Sequence, residues 1–171
     1  MAEIQYVSPH NTRMGSLQNE EELQIVEFLL GKNKFALNLF DVKEIVEYTR
    51  ITPIPGSGKY IKGIIDLRGE ITTIIDLKAK LEIISSKDHQ DQSRIIVIDS
   101  SVTKSKTGIL VDDVTTVLSI TESEIEKKVC DENGSSFILG VIRHKQGDKE
   151  SDHVELVIWL DIPGLLKEMG Q

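Results

Sequence analysis

The sequence is poor in cysteine, aromatic residues and alanine, and each shortage excludes a class of protein. Cys130 is the only cysteine among 171 residues, so no internal disulfide forms and nothing indicates an oxidising compartment. With four phenylalanines, three tyrosines and one tryptophan, the chain has no aromatic surface on which bases could stack. The three alanines argue against a helical bundle, because alanine is the strongest helix former.

Long apolar runs and excess positive charge are also missing. The longest apolar run, Leu156 to Leu160, has five residues, which is far too short to span a bilayer. The N-terminus has no apolar core of a signal peptide. A net charge of −8 disfavours binding to nucleic acid or to an anionic membrane surface. We therefore expect a soluble, cytoplasmic protein that does not insert into the membrane.

What the sequence has in plenty is β-branched residues. The counts are 23 isoleucines, 13 valines and 10 threonines, which favour strands over helices. A chain of this length buries roughly 70% of its unfolded surface, so it can fold without metal or disulfides. The predicted fold is mainly β with short helices, in one domain or in two small units that share a core.

Local patterns divide the chain further. Residues 1–22 predict a flexible tail and residues 23–171 the folded domain, with a polar linker at 85–93 where two halves meet. Asp41 and Asp113 each precede aliphatic residues at helical spacing, so each is predicted to be the N-cap of a short helix. A hairpin is predicted to turn near Arg68, and a terminal helix to cover Ile162 to Met169.

The two halves resemble each other in sequence. Residues 36–47 read ALNLFDVKEIVE and residues 108–119 read GILVDDVTTVLS, each an apolar strand followed by Asp-Val. The triplet beginning at Gly63 matches the triplet beginning at Gly140. The alternative is that any two aliphatic hairpins look alike, but the shared order of elements favours an internal duplication. Two small closed β-barrels packed on a common core would satisfy this pattern.

Residue patterns for catalysis are absent. The histidines lie in the tail or in polar loops, and none has the spacing of a metal site. Cys130 lacks the surroundings of a reactive thiolate. Asp112 and Asp113 lie in no glycine-containing calcium loop, and the segment that ends at Lys59 lacks two required residues of a phosphate-binding loop. We expect no enzymatic activity, cofactor or metal, and we expect function to reside in edge strands and aliphatic grooves. The four histidines are His10, His89, His144 and His153.

One combination of motifs resembles the CheW family of chemotaxis coupling proteins. Gly63-Ile64-Ile65-Asp66-Leu67-Arg68-Gly69, followed by Ile74-Ile75-Asp76-Leu77, is similar to the family pattern G-x-x-N-L-R-G-x-x-x-P-V-x-D-L. The similarity runs from Leu23 to about Met169. Asp66 stands where asparagine is usual and Thr73 where proline is usual, and Asp66 places a negative charge two residues from Arg68.

The resemblance implies a fold and a role. Members of the family consist of two five-stranded barrels with a shared hydrophobic core. They are non-enzymatic adaptors that bind the cytoplasmic tip of chemoreceptors and the regulatory domain of the histidine kinase CheA. The chain is therefore expected to couple receptors to the kinase by scaffolding, in receptor arrays at the inner face of the membrane.

The resemblance also implies which residues bind the partners. Arg68 matches the arginine tied to coupling between receptor and kinase, and Val42 and Glu44 match positions that border the same groove. Gly108, Val114 and Val117 match partner-binding positions of the second half. The competing interpretations are that Val114 and Val117 are core residues, that Gly108 only avoids a clash, and that Arg68 pairs internally with Asp66 or Glu44.

Three other functions stay open at this stage. The chain is also compatible with an adaptor of the CheV type or with a fragment of a kinase regulatory domain, although it contains no receiver or kinase sequence. From another class, a small-molecule-binding β-barrel is possible. Recovery of receptor and CheA in a pull-down would favour the adaptor, and a specific metabolite bound in the groove would favour the small-molecule binder.

Overall fold

A computed structural model describes residues 21–84, 92–127, 137–145 and 153–170. These residues form eleven strands and two short α-helices, so the prediction of a mainly β fold is confirmed. The predicted tail and the linker at 85–93 lie almost wholly outside the described residues and stay predictions. The strands are β1 (Leu23–Leu30), β2 (Asn33–Asn38), β3 (Val42–Glu47), β4 (Ile61–Leu67), β5 (Glu70–Asp76), β6 (Arg94–Ile98), β7 (Thr107–Val111), β8 (Asp113–Ile120), β9 (Ile125–Glu126), β10 (Ile138–Lys145) and β11 (Val154–Leu160); the helices are α1 (Leu77–Lys80) and α2 (Ile162–Glu168).

The strands pair as two sheets. The first sheet has the order β8-β1-β2-β11-β10-β9, and the second has the order β3-β6-β7-β5-β4. Each contains one parallel pair, β2 with β11 and β7 with β5, and its other pairs are antiparallel. Each sheet therefore combines the first hairpin of one half, β1–β2 or β6–β7, with the remaining strands of the other half.

The prediction of two closed barrels is wrong for the described residues, because neither sheet closes on itself through a ladder. The first sheet is bounded by β8 and β9, which are consecutive along the chain. In the second sheet the chain leaves β3 and reaches Thr52, which forms a single bridge to Ile64 of β4. Among the described residues, the opposite edges of each sheet are thus linked by a short stretch of chain and not by a continuous ladder.

Both predicted helices that begin after an aspartate are also wrong. A 3₁₀ turn covers Leu39–Asp41, with the Asn38 side chain as its cap, and the chain then extends directly into β3. Asp113 starts β8, and its side chain accepts a hydrogen bond from the amide of the next residue, Val114 N, at 2.8 Å. The terminal helix is confirmed as α2, capped by Asp161, which accepts a hydrogen bond from Gly164 N at 3.0 Å.

The core has three parts that follow from the alternation of side chains along the strands. A shared cluster between the sheets takes apolar residues from both, among them Phe28 of β1 and Ile109 of β7, and it includes Leu165 of α2. A second cluster uses the first sheet alone and a third uses the second sheet alone. Val46 of β3 and Ile65 of β4 belong to this third cluster although their strands are opposite edges of the second sheet, which indicates that the sheet is curled.

No helix among the described residues has the length and apolar character needed to cross a membrane. The longer of the two, α2, has seven residues.

Candidate functional site

Arg68 lies at the tip of the β4–β5 hairpin, as predicted. Leu67 pairs with Glu70, so the hairpin has a two-residue turn in which Arg68 has φ 53° and Gly69 has φ 83°. Turns of this kind need positive φ at both positions to match the twist of the strands. The Asp66 side chain accepts a hydrogen bond from Gly69 N at 2.7 Å and so stabilises the turn. Asp66 therefore supports the backbone that carries Arg68.

The ionic partner of Arg68 is Glu44 on β3. Arg68 Nη2 lies 2.8 Å from Glu44 Oε2, and Nη1 donates to Oε1 at 3.3 Å, which makes a two-pronged contact. The Arg68 side chain is 75% exposed, whereas that of Glu44 is mostly buried. Because β3 is one edge of the second sheet and the β4–β5 hairpin forms the other, this ion pair joins the two edges. We call Arg68 and Glu44 the edge pair.

The second sheet also contains a cavity of about 230 Å³, which we call the lysine cavity. Leu67 and Lys43, the chain neighbours of Arg68 and Glu44, line it together with residues of β5, β6, β7 and the β6–β7 loop. Lys106 and Glu70, which both line the cavity, form an ion pair. The hydrogen bond from Lys106 lowers the pKa of the Glu70 carboxyl, with a smaller contribution from the charge of Lys43. The charged lining residues and two of the buried ones are Lys43, Glu70, Thr72, Val97, Lys104 and Lys106.

The predicted valines occupy different environments. Val42 and Val114 are half-buried and pack against the shared cluster, which agrees with the core interpretation for Val114. Val117 is 48% exposed on β8, an edge strand of the first sheet, and is therefore accessible to a partner. Of the three, Val117 has the position that a docking residue needs.

Gly108 is buried in the middle of β7, so the structure places it away from the surface. A Cβ atom there would approach Ile95 Cγ2 to 2.8 Å and Ile74 Cδ1 to 3.0 Å, closer than packed carbons tolerate. This is the clash that the competing interpretation anticipated. Any influence of Gly108 on a partner must act through the backbone of β7.

The six predicted residues therefore form two groups and one buried position. Arg68, Glu44 and Val42 belong to the second sheet and its edges, whereas Val114 and Val117 lie on the edge strand of the first sheet. Gly108 is central in the second sheet. The structure brings Arg68 and Glu44 into contact, and it separates them by sheet from Val114 and Val117.

Sequence reasoning missed two exposed isoleucines beside the edge pair. Ile71 follows the hairpin turn and is 60% exposed, and Ile45 follows Glu44 on an edge strand and is also exposed. The duplication could have identified Ile45, which is equivalent to Val117 by position in the repeat. Exposed aliphatic residues on a strand edge are candidates for contact with a partner.

The remaining candidates for chemistry do not assemble into a site. In the part of the chain that the structure describes, no group of His, Cys, Asp or Glu residues could hold a metal. Nδ1 of His144 is 3.9 Å from Glu124 Oε1, and His153 is exposed. Cys130, His10 and His89 lie outside the described residues.

The fold agrees with the comparisons with known proteins. Residues 24–169 match the family model of the CheW-like domain. The chain belongs to the CheW-like family. Chemotaxis protein CheW of Treponema pallidum is 31% identical over 140 residues, 78% of this chain and 81% of that protein. Its counterpart in Thermotoga maritima is 30% identical over 153 residues, 87% of this chain and 91% of that protein.

A solved structure extends the likeness to three dimensions. The scaffolding protein TtCheW from Thermoanaerobacter tengcongensis has a TM-score of 0.70 and 30% identity, and the match covers 87% of this chain and 90% of that one. The resemblance to the CheW family found in the sequence is therefore confirmed over nearly the whole domain.

Proposed function

We propose that this CheW-like chain is a non-enzymatic chemotaxis adaptor that couples chemoreceptors to the histidine kinase CheA by scaffolding. The observation that carries the proposal is the family match over residues 24–169, joined to the structural likeness to a CheW scaffolding protein. The partners are the cytoplasmic tip of the receptors and the regulatory domain of CheA. The protein then acts in receptor arrays on the cytoplasmic side of the membrane.

The binding surfaces in this proposal are the two sheet edges that carry the predicted residues. On the second sheet, the exposed arginine of the edge pair is flanked by Ile71 and Ile45. On the first sheet, Val117 offers an exposed apolar contact on β8. Arginine is enriched among the residues that dominate binding energy at protein interfaces, and this supports the second sheet edge as an anchor.

We also infer that the two halves arose by duplication. The bulge of β3 against β6 lies between Val42 and Glu44. The bulge of β8 against β1 lies between Val114 and Thr116, which are the equivalent positions of the repeat. Gly63 and Gly140 each lie at a register shift of the corresponding hairpin. Matched irregularities support common descent more strongly than matched strands do, because regular hairpins are frequent in unrelated proteins.

The function is tested by titrating the chain with a receptor tip fragment and, separately, with the CheA regulatory domain. We expect saturable binding of each partner and a ternary complex when all three are mixed. Absence of binding to both partners, in a chain shown to be folded by circular dichroism, would contradict the proposal.

Val117→Asp tests the first sheet edge. Because the side chain is half exposed, the variant should fold and keep its melting temperature within a few degrees. The carboxylate should weaken binding of at least one partner by about tenfold, a loss of ~1.4 kcal/mol. Ser119→Asp, at an exposed position on the same strand, is the matched control. Unchanged affinity of Val117→Asp for both partners, relative to the unsubstituted protein, would remove Val117 from the interface.

A further inference from the structure

The space of the lysine cavity has an equivalent in the first sheet, where a side chain of the protein itself occupies it. Val97 of β6 pairs with Gly108 and Glu44, and Glu27 of β1 pairs with Ala36 and Thr116 in the same arrangement. Glu27 therefore occupies in the first sheet the place that Val97 occupies in the second. The comparison gives an internal reference for what the space can hold.

In the first sheet, the space holds a carboxylate. Glu27 is 2% exposed, and its Oε1 lies 3.2 Å from Lys34 Nζ and accepts a hydrogen bond from Thr115 Oγ1 at 2.7 Å. Lys34 also pairs with Glu155, and this hydrogen bond is the main cause of its raised pKa, with Glu27 adding to it. A buried carboxylate is tolerated because these two donors satisfy it.

In the second sheet, the donors are kept and the carboxylate is missing. Lys106 is equivalent to Lys34, because each is followed by the residue that begins the equivalent part of a parallel strand pair. That residue is Thr107, paired with Thr73, in the second sheet and Phe35, paired with Ile158, in the first. The ion pair of Lys106 with Glu70 repeats the pair of Lys34 with Glu155. At the bulge, Lys43 stands where the first sheet has Thr115. Val97 contributes no acceptor, and the space beside it is the lysine cavity.

The charges around the lysine cavity leave a positive balance in an acidic protein. Lys43, Lys104 and Lys106 line it, and Glu70 is the one acid that does so. Asp99 is a second acid within electrostatic reach of Lys43, and its carboxylate accepts a hydrogen bond from Ser101 N at 2.8 Å. Three ammonium groups thus face two carboxylates that already have partners.

We propose that the lysine cavity binds a carboxylate group, which takes the place that the Glu27 carboxylate holds in the first sheet. Lys43 and Lys106 supply the positive charge, and the buried Thr72 and Val97 form the floor. The carboxylate comes either from a free small acid or from an acidic side chain of a partner. The first part of the test below does not depend on the proposed adaptor function.

The binding test uses propionate, which reproduces the side chain of glutamate, and propionamide, which has the same shape without the charge. Amide signals of the isotope-labelled full chain are followed by NMR during each titration. We expect saturable shifts at Thr72, Val97 and Gly108 with propionate, and at least tenfold weaker binding of propionamide. Absence of saturable shifts at these residues with propionate would overturn the proposal.

Two variants locate the binding. Val97→Glu builds the carboxylate of the first sheet into the second, so it should fold and abolish the propionate response. Lys43→Glu, at an exposed position, should weaken propionate binding at least tenfold even if Val97→Glu fails to fold. Lys32→Glu, the same change at an exposed position in the β1–β2 turn, should have no effect. A propionate response that survives in Lys43→Glu would overturn the proposal.

Partner titrations then identify the source of the carboxylate. If it is a partner side chain, Lys43→Glu weakens binding of the receptor tip fragment or the CheA regulatory domain at least fivefold, and Lys32→Glu does not. If both variants bind both partners equally while propionate binding is lost only in Lys43→Glu, the ligand is a free acid. Both results support a carboxylate site, and they assign it to different ligands.

Discussion

At the scale of single residues, the edge pair combines a structural contact with an exposed cation. The contact between Arg68 and Glu44 joins the two edges of the second sheet, yet most of the arginine remains exposed. An exposed ion pair contributes only about 0–1 kcal/mol to stability, whereas an arginine that becomes desolvated in an interface can contribute about 2 kcal/mol or more to binding. The two roles therefore differ in what a substitution should change.

Arg68→Glu should leave the melting temperature within a few degrees and weaken receptor or kinase binding by more than about tenfold. Adding Glu44→Arg to Arg68→Glu restores the ion pair with the two charges exchanged between the positions. If Arg68 contacts the partner, affinity stays low in the double variant. Recovery of affinity in the double variant, measured with thermal unfolding and titration, would show that only the joining of the edges matters.

Asp41 predicts a dependence of stability on pH. Burial, with smaller contributions from the charges of Asp161 and Asp99, raises the pKa of the Asp41 carboxyl above its ordinary value. The folded state therefore favours the protonated form, and the stability this group contributes at low pH is lost as the pH rises through the raised pKa.

Asp41→Asn should consequently stabilise the protein at about pH 7, by roughly 0.5 kcal/mol, because it removes a carboxylate that is poorly placed. The gain should shrink on acidification and vanish below the ordinary pKa of an aspartate, at about pH 3. Denaturant unfolding of both proteins at the two pH values measures it. A gain that is the same at both would mean that the charge of Asp41 is not the cause.

At the scale of elements, the sequence predicted hairpins well and edge strands badly. The β4–β5 turn and α2 were predictable because glycine, aspartate and proline have strong local preferences. On β3, however, the alternation of polar and apolar residues does not match the alternation of buried and exposed positions. The polar Glu44 is largely buried against Arg68, and the apolar Ile45 is exposed. Because the apolar residues of β3 have the spacing of a helix face, the sequence predicted a short helix where the structure has a strand.

The same reasoning applies to the site residues. Arg68 and Val117 could be located from their motifs, but the burial of Gly108 depends on Ile74 and Ile95, which come from two other strands. The contact of Arg68 with Glu44 depends on the curl of the sheet, which no local pattern specifies. The burial of Gly108 and the contact of Arg68 with Glu44 therefore depend on long-range packing, which the motifs do not specify.

Gly63 gives a test of the bulge in the second sheet. Its φ is 151°, and a Cβ atom would lie 2.2 Å from the carbonyl oxygen of Thr52, in the single bridge that links the sheet edges. Gly63→Ala should therefore destabilise the fold by at least about 2 kcal/mol. Gly56→Ala, where φ is 73° and no atom lies within 4 Å, should cost only about 1 kcal/mol. Similar melting temperatures for the two variants would mean that the bridge at Thr52 is dispensable.

At the scale of the whole molecule, each half contributes its first hairpin, β1–β2 or β6–β7, to the sheet of the other half, and this exchange should make unfolding a single transition. Ile109 is fully buried in the shared cluster, and Ile109→Ala should cost about 2–5 kcal/mol. Trp159 packs against the cluster of the first sheet and reports on it by fluorescence. In Ile109→Ala, tryptophan fluorescence and far-ultraviolet circular dichroism should shift together to lower temperature.

Ile54→Ala, at a partly exposed position, is the control and should change stability by about 0.5 kcal/mol or less. Separate transitions for the two signals in Ile109→Ala would show that the sheets unfold as independent units.

Because β2 pairs with β11, one edge of β2 stays unpaired during synthesis until β11 has been translated. Lys34 pairs with Val157, so the second neighbour of β2 is translated about 120 residues after it. At 5–20 residues per second, the ribosome needs roughly ten seconds to supply β11, and β8 also arrives after the β1–β2 hairpin. During that interval the nascent hairpin exposes both of its edges to other chains. A chaperone that covers strand edges on the ribosome should therefore raise the yield of folded protein.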